Sequence, residues 1–174
     1  IMTQEERDFP KQRRPAAGPA LAREGEGFSR KEPRCQLLSN GSFSLLACDN
    51  GLTQCQTGKL AVTLARPGEY YAPAGVSAFF CGPSGVTGLT PAPLYQKEGS
   101  YGWAFDAGHA SWSLEREGLT ARTTVTVPRR ENGALRLVEL SWKGKKRLEG
   151  ELLLYLEPVL CPQRDFDAHP AFSR

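Results

Sequence analysis

Three groups of residues in this 174-residue chain have the types and spacing to do chemistry. Near its end Arg164 and Asp165 stand side by side, and Asp167 and His169 follow closely. A histidine beside carboxylates can orient a hydroxyl, and a guanidinium can hold a hydroxyl or a phosphate oxygen. A structural reading competes with this one and is favoured. Asp165-Phe166-Asp167 reads as a polar turn, and His169-Pro170 as an extended dipeptide that fixes the direction of the chain. Arg164 with Asp165 then reads as an exposed ion pair. The second group is Tyr101, Trp103 and Phe105, which recur at every second position and so share one face of a strand. Exposed and flat, such rings would stack on the C–H faces of a pyranose. Buried, they are core, which is the commoner fate of an aromatic strand face. Phe172 also reads as a core plug.

The third group is the cysteines Cys35, Cys48, Cys55, Cys81 and Cys161. Their number is odd, none forms a C-x-x-C, and neither His109 nor His169 has ligand spacing to any of them. The expectation is reduced thiols in the strands of a cytoplasmic protein, with no metal and no cofactor. Other chemistries lack their signatures. There is no G-x-S-x-G elbow, no phosphate loop and no dinucleotide fingerprint. Gly82-Pro83-Ser84-Gly85 and Gly85-Val86-Thr87-Gly88 read as turns, and Glu149 with Glu151 as ordinary surface on one strand face.

The elements that must position these residues are nearly all strands. Ser42–Cys48 is followed by the turn signal Asp49-Asn50-Gly51 and a returning strand, Leu52–Gln56. Leu60–Leu64 is a short strand ended by Arg66-Pro67-Gly68, and Val76–Cys81 is another. From Leu119 to Val127, apolar residues alternate with Thr120, Arg122, Thr124 and Thr126, which face water or a polar groove. Ala134–Trp142 follows a turn at Glu131-Asn132-Gly133. Leu148, Gly150, Leu152, Leu154 and Leu156 line one face of the next strand, which Pro158 is expected to end. This pattern predicts an all-β fold, an antiparallel β-sandwich. Residues 1–34, rich in Arg, Glu, Pro and Ala, read as a polar linker or arm, and residues 35–174 as the sandwich domain.

Composition agrees with a globular domain: 40% of residues are hydrophobic and 24% charged. Net charge is +3 and the pI about 8.7, with signs mixed throughout, so nucleic acid is not an expected partner. No apolar run approaches a membrane span, and none follows a basic start as in a secretory signal. The abrupt end after Ser173-Arg174 suggests a piece of something larger.

Three phrases in order, Leu37-Leu38-Ser39-Asn40-Gly41-Ser42-Phe43-Ser44, Leu60-Ala61-Val62-Thr63 and His169-Pro170-Ala171-Phe172-Ser173, carry a resemblance. From Cys35 to Arg174 the chain resembles the N-terminal β-sandwich of the glycoside phosphorylases of glycosyltransferase family 36, now glycoside hydrolase family 94. Within it, the likeness is nearest to the cyclic β-1,2-glucan synthase and 1,2-β-oligoglucan phosphorylase branch. The resemblance implies a galactose-mutarotase-like supersandwich, here partial, followed by a helical linker and an (α/α)6 barrel. It implies transfer of glycosyl groups from β-glucans to inorganic phosphate with inversion, using one carboxylic acid in the barrel. This chain alone would be non-catalytic. Its partners would be the helical barrel, a β-glucan oligosaccharide and phosphate in the full enzyme, and a second copy in a homodimer. The substrate-binding candidates under this reading are Tyr101, Trp103, Arg164, Asp165 and His169. The pattern departs from the family at Ser42, where a basic residue is usual. It departs again across Thr53–Lys59, where tryptophan and acidic residues are usual. A stand-alone carbohydrate-binding module is the first alternative and requires a solvent-facing Trp103. A scaffold or oligomerisation domain is the second and requires buried aromatics with a long apolar sheet edge.

Overall fold

The computed structural model describes residues 22–64 and 75–168. Among them run thirteen strands and one short helix, so the all-β expectation holds. One sheet, layer A, is antiparallel. It contains β1 (Arg23–Glu26), β8 (Ser100–Phe105), β9 (Ala110–Arg116), β10 (Leu119–Thr126) and β11 (Leu135–Trp142), in that order. Layer B contains β13 (Pro158–Pro162), β5 (Leu60–Thr63), β4 (Thr53–Thr57), β3 (Phe43–Cys48) and β2 (Cys35–Ser39). A smaller sheet, C, contains β12 (Glu151–Leu156), β6 (Val76–Gly82) and β7 (Gly85–Gly88).

Alternation decides what each strand buries. On β10, Leu119, Ala121, Thr123 and Val125 point inward while Arg122 stays exposed. The layers meet in two clusters. Leu38, Phe43, Leu45, Ala47 and Cys55 of layer B pack on Trp103, Phe105, Ala110, Trp112 and Val125 of layer A. Ala78 of sheet C and Leu89 pack on Tyr101, Leu114 and Ala121 of layer A. A third cluster lies beside β5 and β13, where Phe166 of helix α1 (Gln163–Ala168) covers Ala61, Leu64 and Val159.

The opening phrase of the sequence motif is a clamp between layers. The Asn40 side-chain carbonyl accepts the Ser42 and Phe43 amides at 2.9 and 2.8 Å. Its amide donates to the Pro128 and Glu131 carbonyls, both at 2.8 Å. One side chain therefore caps the β2–β3 turn and ties it to the β10–β11 connection, because a carboxamide carries donors and acceptors for both tasks. Gly41 supplies the positive φ of that turn. The Asp49-Asn50-Gly51 turn forms as expected but is buried beneath the 89–92 loop. A Cβ on Gly51 would meet the Thr90 side chain at 2.4 Å.

Three expectations change. Arg23–Glu26, inside the segment read as an arm, is strand β1, paired along its length with Phe105 to Gly102 of β8. Main-chain hydrogen bonds hold it, and a hydrophobic pattern does not report those. Gly85–Gly88, read as a turn, is β7 of a hairpin with β6. Pro158 stands where expected, after the end of β12 at Leu156, and it also opens β13 in another sheet, an edge strand where a missing donor is tolerated. Asp165-Phe166-Asp167 is helical rather than a turn, since Phe166 has an apolar surface to cover. Arg66-Pro67-Gly68, Phe172 and the His169-Pro170 dipeptide lie outside the described residues.

Candidate functional site

Tyr101, Trp103 and Phe105 do share one face of β8, and that face points into the sandwich. Trp103 is only 7% exposed. Its ring lies 5.0 Å from that of Phe105, with the Arg34 guanidinium 5.4 Å away. Opposite Trp103 sits Gly25 of β1, where even a Cβ would come within 2.8 Å of the indole. Tyr101 is equally buried and donates its hydroxyl to the Gly88 carbonyl at 3.0 Å. Neither ring offers a face for a pyranose to stack on. The physical reason is that layer B covers the inner face of β8, where the indole also lies across Gly25 of the neighbouring strand β1, and these aromatics supply much of the core's apolar area.

Arg164 and Asp165 lie on α1, against β13, and pair with each other at 3.0 Å. Both are well exposed, the situation in which an ion pair contributes little. His169 lies outside the described residues. The candidates are thus not gathered in one place: Tyr101 and Trp103 belong to the interlayer core, and Arg164 and Asp165 to the helix beside β13.

The inward turn of the aromatics leaves their small neighbours facing out, and these build a trough that no sequence motif announces. Gly102 and Ala104 of β8 alternate with the aromatics, and Ser111 and Ser113 of β9 stand across from them in register. Glu24 and Glu26 of β1 form one wall, and Arg122 of β10 the other. The depression holds about 430 Å³. It continues into a second hollow of about 290 Å³, lined by Asp106, His109 and Thr124 as well as the shared Ala104, Ser111 and Arg122. The floor must be small: a Cβ on Gly102 would meet the Ser113 hydroxyl at 2.7 Å. The one sequence signal was the polar face of β10, Arg122 and Thr124, expected to face water or a polar groove.

Asp106 closes the end of the trough by capping its own turn. Its Oδ1 accepts the Gly108 and His109 amides, both at 2.7 Å, and lies 3.3 Å from His109 Nδ1. The Gly108 amide first, and then the His109 amide and ring, hold this carboxyl below the ordinary aspartate range. A group held ionised in this way is the reverse of a general acid, which needs its proton retained near neutral pH. The trough therefore offers carboxylates on one wall and a guanidinium on the other, groups that can hydrogen-bond a ligand's hydroxyls. Among the described residues no cluster of His, Cys, Asp and Glu could hold a metal ion. No described helix is long and apolar enough to cross a membrane.

Two antiparallel layers with a clamped Asn-Gly turn are the frame against which family membership can be judged. The family model described as glycosyl hydrolase 94, supersandwich domain, matches residues 20–174. The chain belongs to that family. No curated protein matches it. The match begins before β1, so the supersandwich family pattern includes the edge strand whose Gly25 lies across from Trp103. The polar trough thus lies on the outer face of layer A of a glycosyl hydrolase 94 supersandwich, and the buried aromatics form the core beneath it.

Proposed function

We propose that this supersandwich is the non-catalytic scaffold of an enzyme that transfers glycosyl groups from β-glucans to inorganic phosphate. The branch proposed for it is that of the cyclic β-1,2-glucan synthases and 1,2-β-oligoglucan phosphorylases. The ordered phrases from Leu37 to Thr63 and the family match support the enzyme class. The scaffold role rests on one observation, the leucine surface of β11 and β12. Leu135, Leu137, Leu152, Leu153, Leu154 and Leu156 are all exposed, although each lies in a regular strand. Apolar surface on that scale marks an interaction site. The helical catalytic domain of the same cytoplasmic enzyme is the proposed occupant, with a second copy of the protein joining further along the edge. Buried aromatics beside an open apolar edge are what a scaffold requires. A free sugar-binding module needs the opposite. Arg164 and Asp165 on α1, with His169, are the proposed sugar contacts.

The test is phosphorolysis by the complete enzyme. It is incubated with inorganic phosphate and either β-1,2- or β-1,4-linked gluco-oligosaccharides, and glucose 1-phosphate is measured. The β-1,2 series is expected to yield product and this chain alone none, with Arg164→Ala raising KM several-fold while kcat holds. Product from neither series, or from the isolated sandwich, overturns the reading.

A further inference from the structure

We propose that Cys35 and Cys48 form a dithiol site that closes to an intramolecular disulfide, a modification that clamps β2 to β3. The two residues are direct partners in the β2–β3 register. The Asp49 amide donates to the Arg34 carbonyl at 2.8 Å, which makes the neighbouring pair, Arg34 with Asp49, a hydrogen-bonded one. Antiparallel pairs alternate, so Cys35 with Cys48 is a non-hydrogen-bonded pair, the class in which Cα atoms sit about 4.5 Å apart and side chains are closest. That separation lies inside the disulfide range of about 4.4–6.8 Å. The two sulfurs are already 2.6 Å apart.

Access is unequal, in a way that suits a stepwise reaction. Cys35 is half-buried on β2, the last strand of layer B, while Cys48 is buried. Among the described residues the other cysteines have no cysteine across from them: Cys55 faces Leu45, Cys81 faces Val86 and Glu151, and Cys161 faces Ala61. The oxidant is a small disulfide such as oxidised glutathione. The Cys35 thiolate attacks one of its sulfurs, the small S–S bond breaks, and one small thiol leaves with a proton. Deprotonated Cys48 then attacks the Cys35 sulfur, the mixed bond breaks, and the second small thiol leaves. The protein gives up two hydrogens and two electrons, and the small disulfide takes both. Burial first, and then the contact with Cys35, push the Cys48 thiol well above its ordinary range, so the closing step is the slower one and quickens as pH rises.

The site joins more than two strands. Cys35 offers its carbonyl to Arg23 of β1 at 3.0 Å, and Cys48 offers its own to the Trp112 indole at 2.9 Å. Closing the bridge fixes the strand that accepts the Arg23 side chain and the strand that anchors the Trp112 indole.

The experiment treats the full-length protein, first reduced, with excess oxidised glutathione at pH 8, then blocks free thiols with iodoacetamide. Trypsin and Asp-N cleavage put Cys35 and Cys48 on one peptide, residues 35–48, and Cys55 on the next. The expected result is a 35–48 peptide two hydrogens lighter and free of alkyl groups, with Cys55 alkylated. Cys35→Ser, which leaves the buried partner in place, should leave Cys48 unbridged and without glutathione. Alkylation of both thiols, a lasting glutathione adduct on Cys35, or a Cys48–Cys55 link overturns the proposal.

Discussion

The interior around Trp112 and the surface of β11 and β12 are made from similar sequence, strands rich in large apolar residues, yet they meet opposite fates. Trp112 is 1% exposed, touches Phe105 edge-on at 6.5 Å and donates its indole N–H to the Cys48 carbonyl. Leu137 and Leu154 are each 58% exposed. The difference lies in what stands across from each strand. β9 has strands on both sides and layer B beneath it. By contrast, β11 and β12 are the last strands of their sheets, and β12 is exposed at every residue, on both faces. Leucines exposed along sheet edges, here with only Arg136, Glu139 and Glu151 among them, are a liability unless another element covers them. The comparison teaches that hydrophobic pattern locates a strand but does not by itself say whether the strand belongs to this layer's core or to an interface.

The contrast can be broken at three points. Trp112→Ala removes the largest fully buried side chain and a buried hydrogen bond, and should destabilise the domain by about 3–5 kcal/mol in a urea or guanidinium titration. A loss below about 1 kcal/mol would mean the two layers hold together without it. Arg136 tests the boundary between the two regions. It points from the edge strand β11 toward Trp112, 6.0 Å from the ring, and among the described residues its Nη1 has no hydrogen-bond partner. Burial lowers its pKa to about 10, which marks a desolvated charge. Arg136→Met keeps the chain length, removes the charge, and should raise stability by about 1 kcal/mol. A clear loss in the same titration would show that the cation is held by something the ring contact does not explain. Leu154→Ser is the smallest effect. With no core to leave, it should shift stability by less than about 0.5 kcal/mol while reducing self-association in sedimentation. A large drop in Tm would mean that β12 is core after all.

Much of the fold was legible in the sequence, and the misses have physical causes. Strands β3, β8 and β10 follow alternation closely, because each has one face on a core. β1 was missed because Arg23-Glu24-Gly25-Glu26 buries no apolar face and is held by pairing with β8. The single meander read from Leu119 to Leu156 breaks after β11, since β12 joins β6 in another sheet. Nothing in the Leu-rich pattern specifies which neighbour a strand takes. The site was harder to read. The aromatic triplet was visible, but its burial depended on β1 and layer B. The trough was nearly invisible, because glycine, alanine and serine become a floor only when three strands bring them together.

The sequence by itself determined the all-β class, the turn at Asp49-Asn50-Gly51, the shared face of Tyr101, Trp103 and Phe105, and the family motif around Asn40. These are local properties, set by side-chain period and by the few residues that tolerate a positive φ. Tertiary structure alone decided that the aromatics face inward, that Asn40 spans two layers, that Cys35 meets Cys48 and that the leucines of β12 stay uncovered. Each of those depends on which strand lies beside or beneath another. Such contacts join residues far apart in the chain, and local pattern carries no information about them.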